Sequence, residues 1–191
     1  MRLILASASP RRRELLEMLG VEHLEILPAL GEEKPDPALT PEALVAALSR
    51  QKAEEVARRV GDPAALVLGA DTVVALDGQV LGKPRDRADA RRMLLALSGR
   101  QHRVCTGVTL CRGGLVRTSC EETAVQFRPL SEDEIARYIE TGEPMDKAGA
   151  YGAQGLGSLF VERLEGDFFN VMGLPLCLLG KMLKDMGVNL L

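Results

Sequence analysis

The apolar positions of the chain change period several times. Leu3-Ile4-Leu5-Ala6 is a short continuous apolar run and predicts a buried strand. Ser9 then offers a helix N-cap and Pro10 a first helical position, while Leu15, Leu16 and Leu19 recur at helical spacing ahead of Gly20. Residues 3–20 therefore predict strand, tight turn and helix. Residues 23–28 predict a second strand, and Glu32 to Leu39 a polar loop containing proline. Thr40 caps and Pro41 opens a long helix reaching about Val60. Leu44, Val45, Leu48 and Val56 lie on its apolar face, and Gly61 stops it.

Leu66 to Ala70 predicts a buried strand ending at Asp71-Thr72. Val73-Val74 continue the extended pattern, so Asp71 falls within a strand-like run. Residues 73–76 and 79–81 around Asp77-Gly78 predict a hairpin, and residues 87–97 a helix with Gly99 behind it. Alternation over 102–111 and 115–128, joined by Arg112-Gly113-Gly114, predicts two long strands. Ser131 with Glu134 forms a capping box for a helix carrying Ile135, Tyr138 and Ile139. Gly142 to Gly157 is glycine-rich, 158–171 predicts a hairpin turning near Glu165-Gly166, and a last helix runs from near Pro175 to Gly187. Helices and strands alternate with hairpins inserted, which places the chain in the α/β class with a mixed sheet.

Composition changes this picture little. Of 191 residues, 46% are hydrophobic and 27% charged, as in soluble globular proteins. The length fits one domain, or one core with two lobes. A net charge of −3 argues against a dedicated nucleic-acid binder, and no apolar stretch is long enough to span a bilayer. The four cysteines lack any Cys-x-x-Cys spacing and only two histidines are present, so no zinc constellation can be written. Scattered cysteines read as small buried hydrophobes in a reducing compartment. With no targeting segment visible, the expected location is cytoplasmic.

Four segments carry candidate chemistry. The strand-to-helix turn Ser7 to Arg13 combines helix N-terminal N–H groups with the hydroxyls of Ser7 and Ser9 and the guanidinium groups of Arg11 and Arg12, a combination suited to phosphate. The same residues also fit a capped helix with solvated arginines. Asp71, at Gly69-Ala70-Asp71-Thr72, is a carboxylate where α/β sheets place ligands, suited to hold a metal ion or accept a proton from water. A turn aspartate is the alternative. Lys83, in Leu81-Gly82-Lys83-Pro84, lacks P-loop spacing and reads as a point-charge phosphate contact or an exposed loop lysine. Lys52 taken alone reads as solvated helix surface. In Asp146 to Gly155, three glycines permit close backbone approach to a ligand, and Gln154 offers an amide for a base edge. A flexible loop is the alternative there.

These segments, with Gln51-Lys52-Ala53, Leu97-Ser98-Gly99, His102-Arg103-Val104 and Asn170-Val171-Met172-Gly173-Leu174-Pro175-Leu176, occur in an order that resembles the Maf family of nucleotide pyrophosphatases along nearly the whole chain. The resemblance implies a single Maf-like domain over 1–191: an elongated α/β sheet flanked by helices, with two lobes and a cleft, similar to inosine triphosphate pyrophosphatases. It implies hydrolysis of a nucleoside triphosphate to the monophosphate and pyrophosphate with a divalent cation, Mg²⁺ or Mn²⁺, and a homodimer as the assembly. Asp71 matches the family's proton acceptor. Arg11, Thr72 and Gln154 match its specificity positions, with Thr72 and Gln154 expected at the pyrimidine. Glu33, Lys52 and Lys83 match polar positions around phosphates and metal, Glu33 sharing the metal with Asp71.

The segment Asp146 to Gly155 resembles the dTTP/UTP branch, where Lys follows Asp and Gln closes the segment. Ala153 departs from the bulkier aliphatic residue usual there, and Gly31-Glu32-Glu33 from a frequent Asp before the second acid. The competing readings are a 7-methyl-GTP pyrophosphatase and a non-catalytic nucleotide-binding regulator of septum formation.

Overall fold

The computed structural model describes residues 2–21, 23–31, 36 and 38–190. The expected loop over Glu32 to Leu39 lies largely outside the described residues, and Glu33 wholly so.

The elements run β1 (Leu3–Leu5), α1 (Pro10–Met18), β2 (Leu24–Ile26), α2 (Pro41–Val60), β3 (Leu66–Leu76), β4 (Gln79–Leu81), α3 (Arg87–Leu97), β5 (Gln101–Arg112), β6 (Leu115–Phe127), α4 (Glu132–Glu140), β7 (Val161–Glu165), α5 (Phe168–Val171) and α6 (Leu176–Asp185). Local signals set many of the boundaries. Thr40 accepts from Ala43 N, Pro41 occupies the first helical turn, and Gly61 ends α2 at φ 65°. Ser131 and Glu134 form the expected capping box of α4. The β3–β4 turn holds Asp77 and Gly78 at φ 51° and 78°, the left-handed pair a two-residue hairpin requires.

Two expectations are corrected. Residues 66–76 form one strand of 11 residues with Asp71 at its centre. The hairpin over 158–171 is half present: β7 pairs with β6, but the return segment is α5, because Asp167 Oδ1 accepts from Phe169 N and starts a helical turn. The cysteines divide. Cys105 and Cys111 are buried and Cys120 half-buried, but Cys177 is exposed. Burial pushes the Cys105 thiol up to about 12 and those of Cys111 and Cys120 up to about 11, which leaves them inert apolar fillers.

The sheet is mixed, in the order β2-β1-β3-β5-β6-β7, with β4 added beside β3. β1 lies parallel to β2 and β3, and the remaining pairs are antiparallel. β5 follows one edge of β3 from Val67 to Ala75. The other edge is shared: β1 pairs with Leu66–Leu68 and β4 with Val74–Leu76. Between them, Gly69 to Val73 has no neighbouring strand on this edge among the described residues.

The two faces are packed differently. Alternate residues of β3 point to opposite faces. Val67 faces α2 and packs with its Ala53 and Val56. Leu66, Leu68 and Ala70 face α1 and α6, and Val74 and Leu76 face α3 and α4. Two apolar clusters thus share one face, and between them lies the polar pair Thr72 and Thr106, opposite each other on β3 and β5. That seam is the boundary between two lobes.

α2 presses directly on the sheet at two glycines. A Cβ on Gly69 would lie 2.3 Å from Ser49 O, and one on Gly107 would lie 2.2 Å from Val45 O. Gly107 is the cross-strand partner of Asp71. No helix among the described residues is long and apolar enough to cross a membrane.

Replacing Gly107 by Ala forces the α2 backbone away and should cost about 2–4 kcal/mol. Gly180 is the control: a methyl group there would meet nothing within 4 Å, and its φ is not positive. Gly180→Ala should be neutral or slightly stabilising by helix propensity, and urea denaturation of both variants checks the contrast. A second outcome concerns His102, which is buried, shares a 2.8 Å hydrogen bond with Tyr151 Oη, and is lowered by burial from 6.5 to about 4. In that window the unfolded chain binds the extra proton, so stability falls as pH drops from 6.5 towards 4, by up to about 1.4 kcal/mol per unit. His102→Gln should flatten this part of the stability–pH curve whatever its effect on stability at neutral pH.

Candidate functional site

The open stretch of β3 borders a cavity of about 1140 Å³. Ser7, Ser9, Arg11, Arg12, Lys52, Asp71, Thr72, Lys83 and Gln154 all line it. Residues far apart in sequence therefore converge on one space, at the point where the chain leaves β1 and the edge of β3 changes partner. Such switch points are where open α/β sheets accept ligands.

Arg12 organises the centre. It is buried, and Nη1 donates to the Ala70 carbonyl at 2.9 Å, supplying the hydrogen bond that the missing strand would have made. Nη1 also donates to Ser7 Oγ at 3.0 Å, Nε to Gly173 O at 2.8 Å, and Nη2 to Thr72 Oγ1 at 3.0 Å. Arg12, expected among the phosphate contacts, is thus a brace tying α1, β3 and the turn before α6. Ser7 Oγ also accepts from Ser9 N at 3.2 Å, which orders the turn. Ser9 is the N-cap of α1 but makes no side-chain cap bond. The first turn of a helix has N–H groups without intrahelical acceptors, and here it faces the cavity. Arg13 turns outward and pairs with Glu17.

Asp71 lies on the α2 face of the strand, where Lys52 Nζ donates to Oδ1 at 2.5 Å. The close packing at Gly69 and Gly107 brings α2 near enough for this contact. Among the described residues Oδ2 takes no hydrogen bond. Lys52 is therefore a partner of the central carboxylate and not solvated surface. Thr72 points to the opposite face and shares a 3.0 Å hydrogen bond with Thr106, whose hydroxyl donates to Asn170 O at 3.1 Å. The cavity reaches both residues because it wraps around the open edge.

Lys83 is exposed and its loop is tied to the glycine-rich segment, Gly149 N donating to Gly82 O at 3.0 Å. That segment is a series of short 3-10 turns. Gly149 has φ 68°, and a Cβ there would lie within 2.8 Å of Val74, so the position needs glycine twice over. Gln154 is exposed at the cavity wall. Lys147, absent from the sequence-based candidates, lines the cavity with its Nζ on Glu143 O at 2.5 Å and Asp146 Oδ1 at 2.7 Å. Burial opposes ionisation of Asp146, but Lys147 and then Arg11, 3.9 Å away, outweigh it and hold the carboxyl below its usual range. The signal for Lys147 was its place beside Asp146 in the glycine-rich run. Its inward direction is set by the stem packing over Gly152.

Five cations line the cavity, Arg11, Arg12, Lys52, Lys83 and Lys147, against the carboxylates Asp36, Asp71 and Asp146 among the described residues. A locally positive cavity in a net negative protein favours a polyanionic ligand. A group that could hold a metal also exists elsewhere: ligand atoms of Glu42, Cys105 and Glu122 lie within 4.8 Å of one another. Arg103 Nη1 already donates to both carboxylates at 2.8 Å, and none of the three residues lines the cavity. A guanidinium there supplies the positive charge a metal would bring.

Comparison with known proteins adds the following. The family model described as "Maf-like protein" matches residues 2–186. A Bacillus velezensis protein named dTTP/UTP pyrophosphatase is 50% identical over 188 residues, covering 98% of each chain. A Symbiobacterium thermophilum protein of the same name is 51% identical over 185 residues, covering 97% of this chain and 94% of its own. The solved structure of a nucleoside-triphosphatase / dITP/XTP pyrophosphatase from Mycobacterium abscessus is similar at a TM-score of 0.47, with 17% identity over 97% of this chain and 94% of that one. The match across nearly the full length places this chain in the Maf-like protein family.

Proposed function

We propose that the chain is a nucleoside triphosphate pyrophosphatase of the dTTP/UTP type. The observation that carries the reading is the carboxylate of Asp71, fixed by Lys52 within a cavity where five cations outnumber three carboxylates among the described residues. The names of the relatives that match it over nearly the whole chain support the substrate class.

In this reading the triphosphate lies against the first turn of α1, with Arg11, Lys52, Lys83 and Lys147 meeting its charge. Arg12, Ser7 and Ser9 shape the turn. Water attacks the α phosphorus in line, Asp71 accepts its proton, and the bridging oxygen leaves with pyrophosphate, yielding the monophosphate. Thr72 and Gln154 contact the pyrimidine, where hydrogen-bonding groups reject mismatched bases better than an apolar wall does. Positioning and charge neutralisation supply most of the acceleration.

The donor set suits a divalent cation. Asp71 Oδ2 takes no hydrogen bond among the described residues, and Mg²⁺ needs only one or two carboxylates in addition to substrate phosphates. Asp71 and Glu33, the second acid matched by the family resemblance, would hold Mg²⁺ or Mn²⁺; one carboxylate serves poorly as both close ligand and base, so where Asp71 takes the proton the closer ligand would be Glu33. When bound, the ion screens phosphate charge and lowers the pKa of water.

Two outcomes follow. With Mg²⁺ or Mn²⁺ the purified protein should release pyrophosphate from dTTP and UTP at least about tenfold faster than from 7-methyl-GTP or purine nucleotides, and a chelator should abolish release until metal is restored. Faster cleavage of 7-methyl-GTP overturns the branch assignment, and no release from any nucleotide overturns the enzyme reading. Asp71→Asn, which keeps the shape, should lower kcat by about 10³-fold, the scale of general base catalysis. Near-normal turnover in that variant would remove Asp71 from the mechanism.

A further inference from the structure

The residues 152–157 form a loop whose ends touch. A Cβ on Gly157 would lie 2.5 Å from Gly152 O and 2.7 Å from Tyr138 Oη. Gln154 sits within this loop at the cavity wall, exposed, and no hydrogen bond to its side chain is formed among the described residues. Its aim is therefore set by the loop backbone.

Two side chains hold that backbone. Gly152 N donates to Tyr138 Oη at 3.2 Å. On the other side of Gln154, Leu156 N donates to Glu143 Oε2 at 3.0 Å and Gly157 N to Glu143 Oε1 at 3.1 Å. Tyr138 Oη closes the bracket by donating to Glu143 Oε1 at 2.9 Å. Gly155, at φ 99°, backs onto the carboxylate so tightly that a Cβ would lie 3.0 Å from both oxygens. Tyr138 itself is fixed in the core of α4 against Phe160. Burial opposes the charge on Glu143, but the N–H groups of Gly157 and Leu156, then Tyr138 and Lys147, outweigh it and keep the carboxyl below its usual range. Neither Tyr138 nor Glu143 lines the cavity.

We infer that Tyr138 and Glu143 are positioning residues for base selectivity: their phenol–carboxylate pair brackets the loop that aims Gln154, without touching the nucleotide. The inference rests on the reading of Gln154 as a base contact. Its physical basis is that a recognition group must be held within a fraction of an ångström, and a loop reaches that precision only when its backbone is pinned. The chemistry at Glu143 is specific. Both oxygens must accept, and a Gln amide presents one oxygen and one donor, so one backbone N–H of the loop faces another donor.

The test measures steady-state cleavage of dTTP, UTP and dATP by Glu143→Gln and Tyr138→Phe, with inorganic tripolyphosphate as a base-free competitor. In both variants the ratio of kcat/KM for dTTP over dATP should fall, by about tenfold for Glu143→Gln, the scale of one lost hydrogen bond to a charged group. The loss should appear in the KM for dTTP with kcat little moved, and tripolyphosphate should inhibit as in the wild type. Tyr138→Phe keeps the carboxylate and its two loop donors, so it reads the bracket if Glu143→Gln does not fold. An unchanged ratio in the folded variants, or parallel loss of dTTP and tripolyphosphate affinity, overturns the inference. A wild-type protein that releases no pyrophosphate from any nucleotide overturns the enzyme reading instead.

Discussion

The site depends on an interruption in the sheet. Among the described residues, five of β3, from Gly69 to Val73, run without a neighbouring strand on one edge, because β1 pairs only as far as Leu68 and β4 only from Val74. An unpaired buried carbonyl is costly, and Ala70 avoids that cost through the Arg12 guanidinium. One side chain thereby does the work of a strand at that point while drawing in the Ser7 turn, Thr72 and Gly173. A hydrogen-bonded strand would satisfy the backbone equally well, but it would fill the space that is now the cavity. Closing the edge with a guanidinium leaves room beside it.

The second constraint acts from the other face. Gly69 and Gly107 let α2 lie in backbone contact with the sheet, closer than any side chain would allow. Lys52 consequently reaches Asp71 across a short distance with its stem largely covered. A carboxylate and an ammonium so confined lose little further entropy on meeting, unlike a pair on the exposed surface. Many of the remaining ion pairs are of that exposed kind, such as Arg2 with Glu25, and contribute little to holding the fold. The apolar clusters on the opposite face hold each lobe, and the polar seam at Thr72 and Thr106 keeps them from merging into one core.

Where the determinants are local, the chain announces them. Thr40, Pro41 and Gly61 bound α2, Ser131 with Glu134 starts α4, and Asp77-Gly78 turns the β3–β4 hairpin, all by chemistry within a few residues. Asp71 stood out because a carboxylate interrupted a buried strand pattern. What the chain did not announce is non-local. Arg12 reads as a phosphate ligand beside Ser9 and Pro10, and only the open edge of β3, some 58 residues away, shows where its donors go. Lys52 taken alone reads as helix surface until Gly69, against Ser49 and Ala53, brings α2 down. The segment 167–171 reads as extended because Phe168, Phe169 and Val171 suit a strand. The cap at Asp167 and the burial of Asn170, which donates to Val104 O and Thr123 Oγ1, override that preference.

Neighbouring residues of a strand point to opposite faces, so within a complete sheet Asp71 and Thr72 would serve separate compartments. Here they serve one. The open edge lets a single cavity wrap around β3, with Asp71 and Lys52 on the face of α2 and Thr72 on the face of the two lobes. The cations divide unevenly between the two faces: Lys52 lies with Asp71, while Arg12 and the first turn of α1 lie with Thr72. A ligand held at the first turn of α1 therefore meets Asp71 only across the open edge. The strand between them is braced by nine residue pairs with β5, from Val67 to Ala75. The separation between the two faces is thus fixed by a rigid element, while the loop carrying Gln154 is held by side chains. Tyr138 and Glu143 supply that hold from outside the cavity, through hydrogen bonds to Gly152, Leu156 and Gly157.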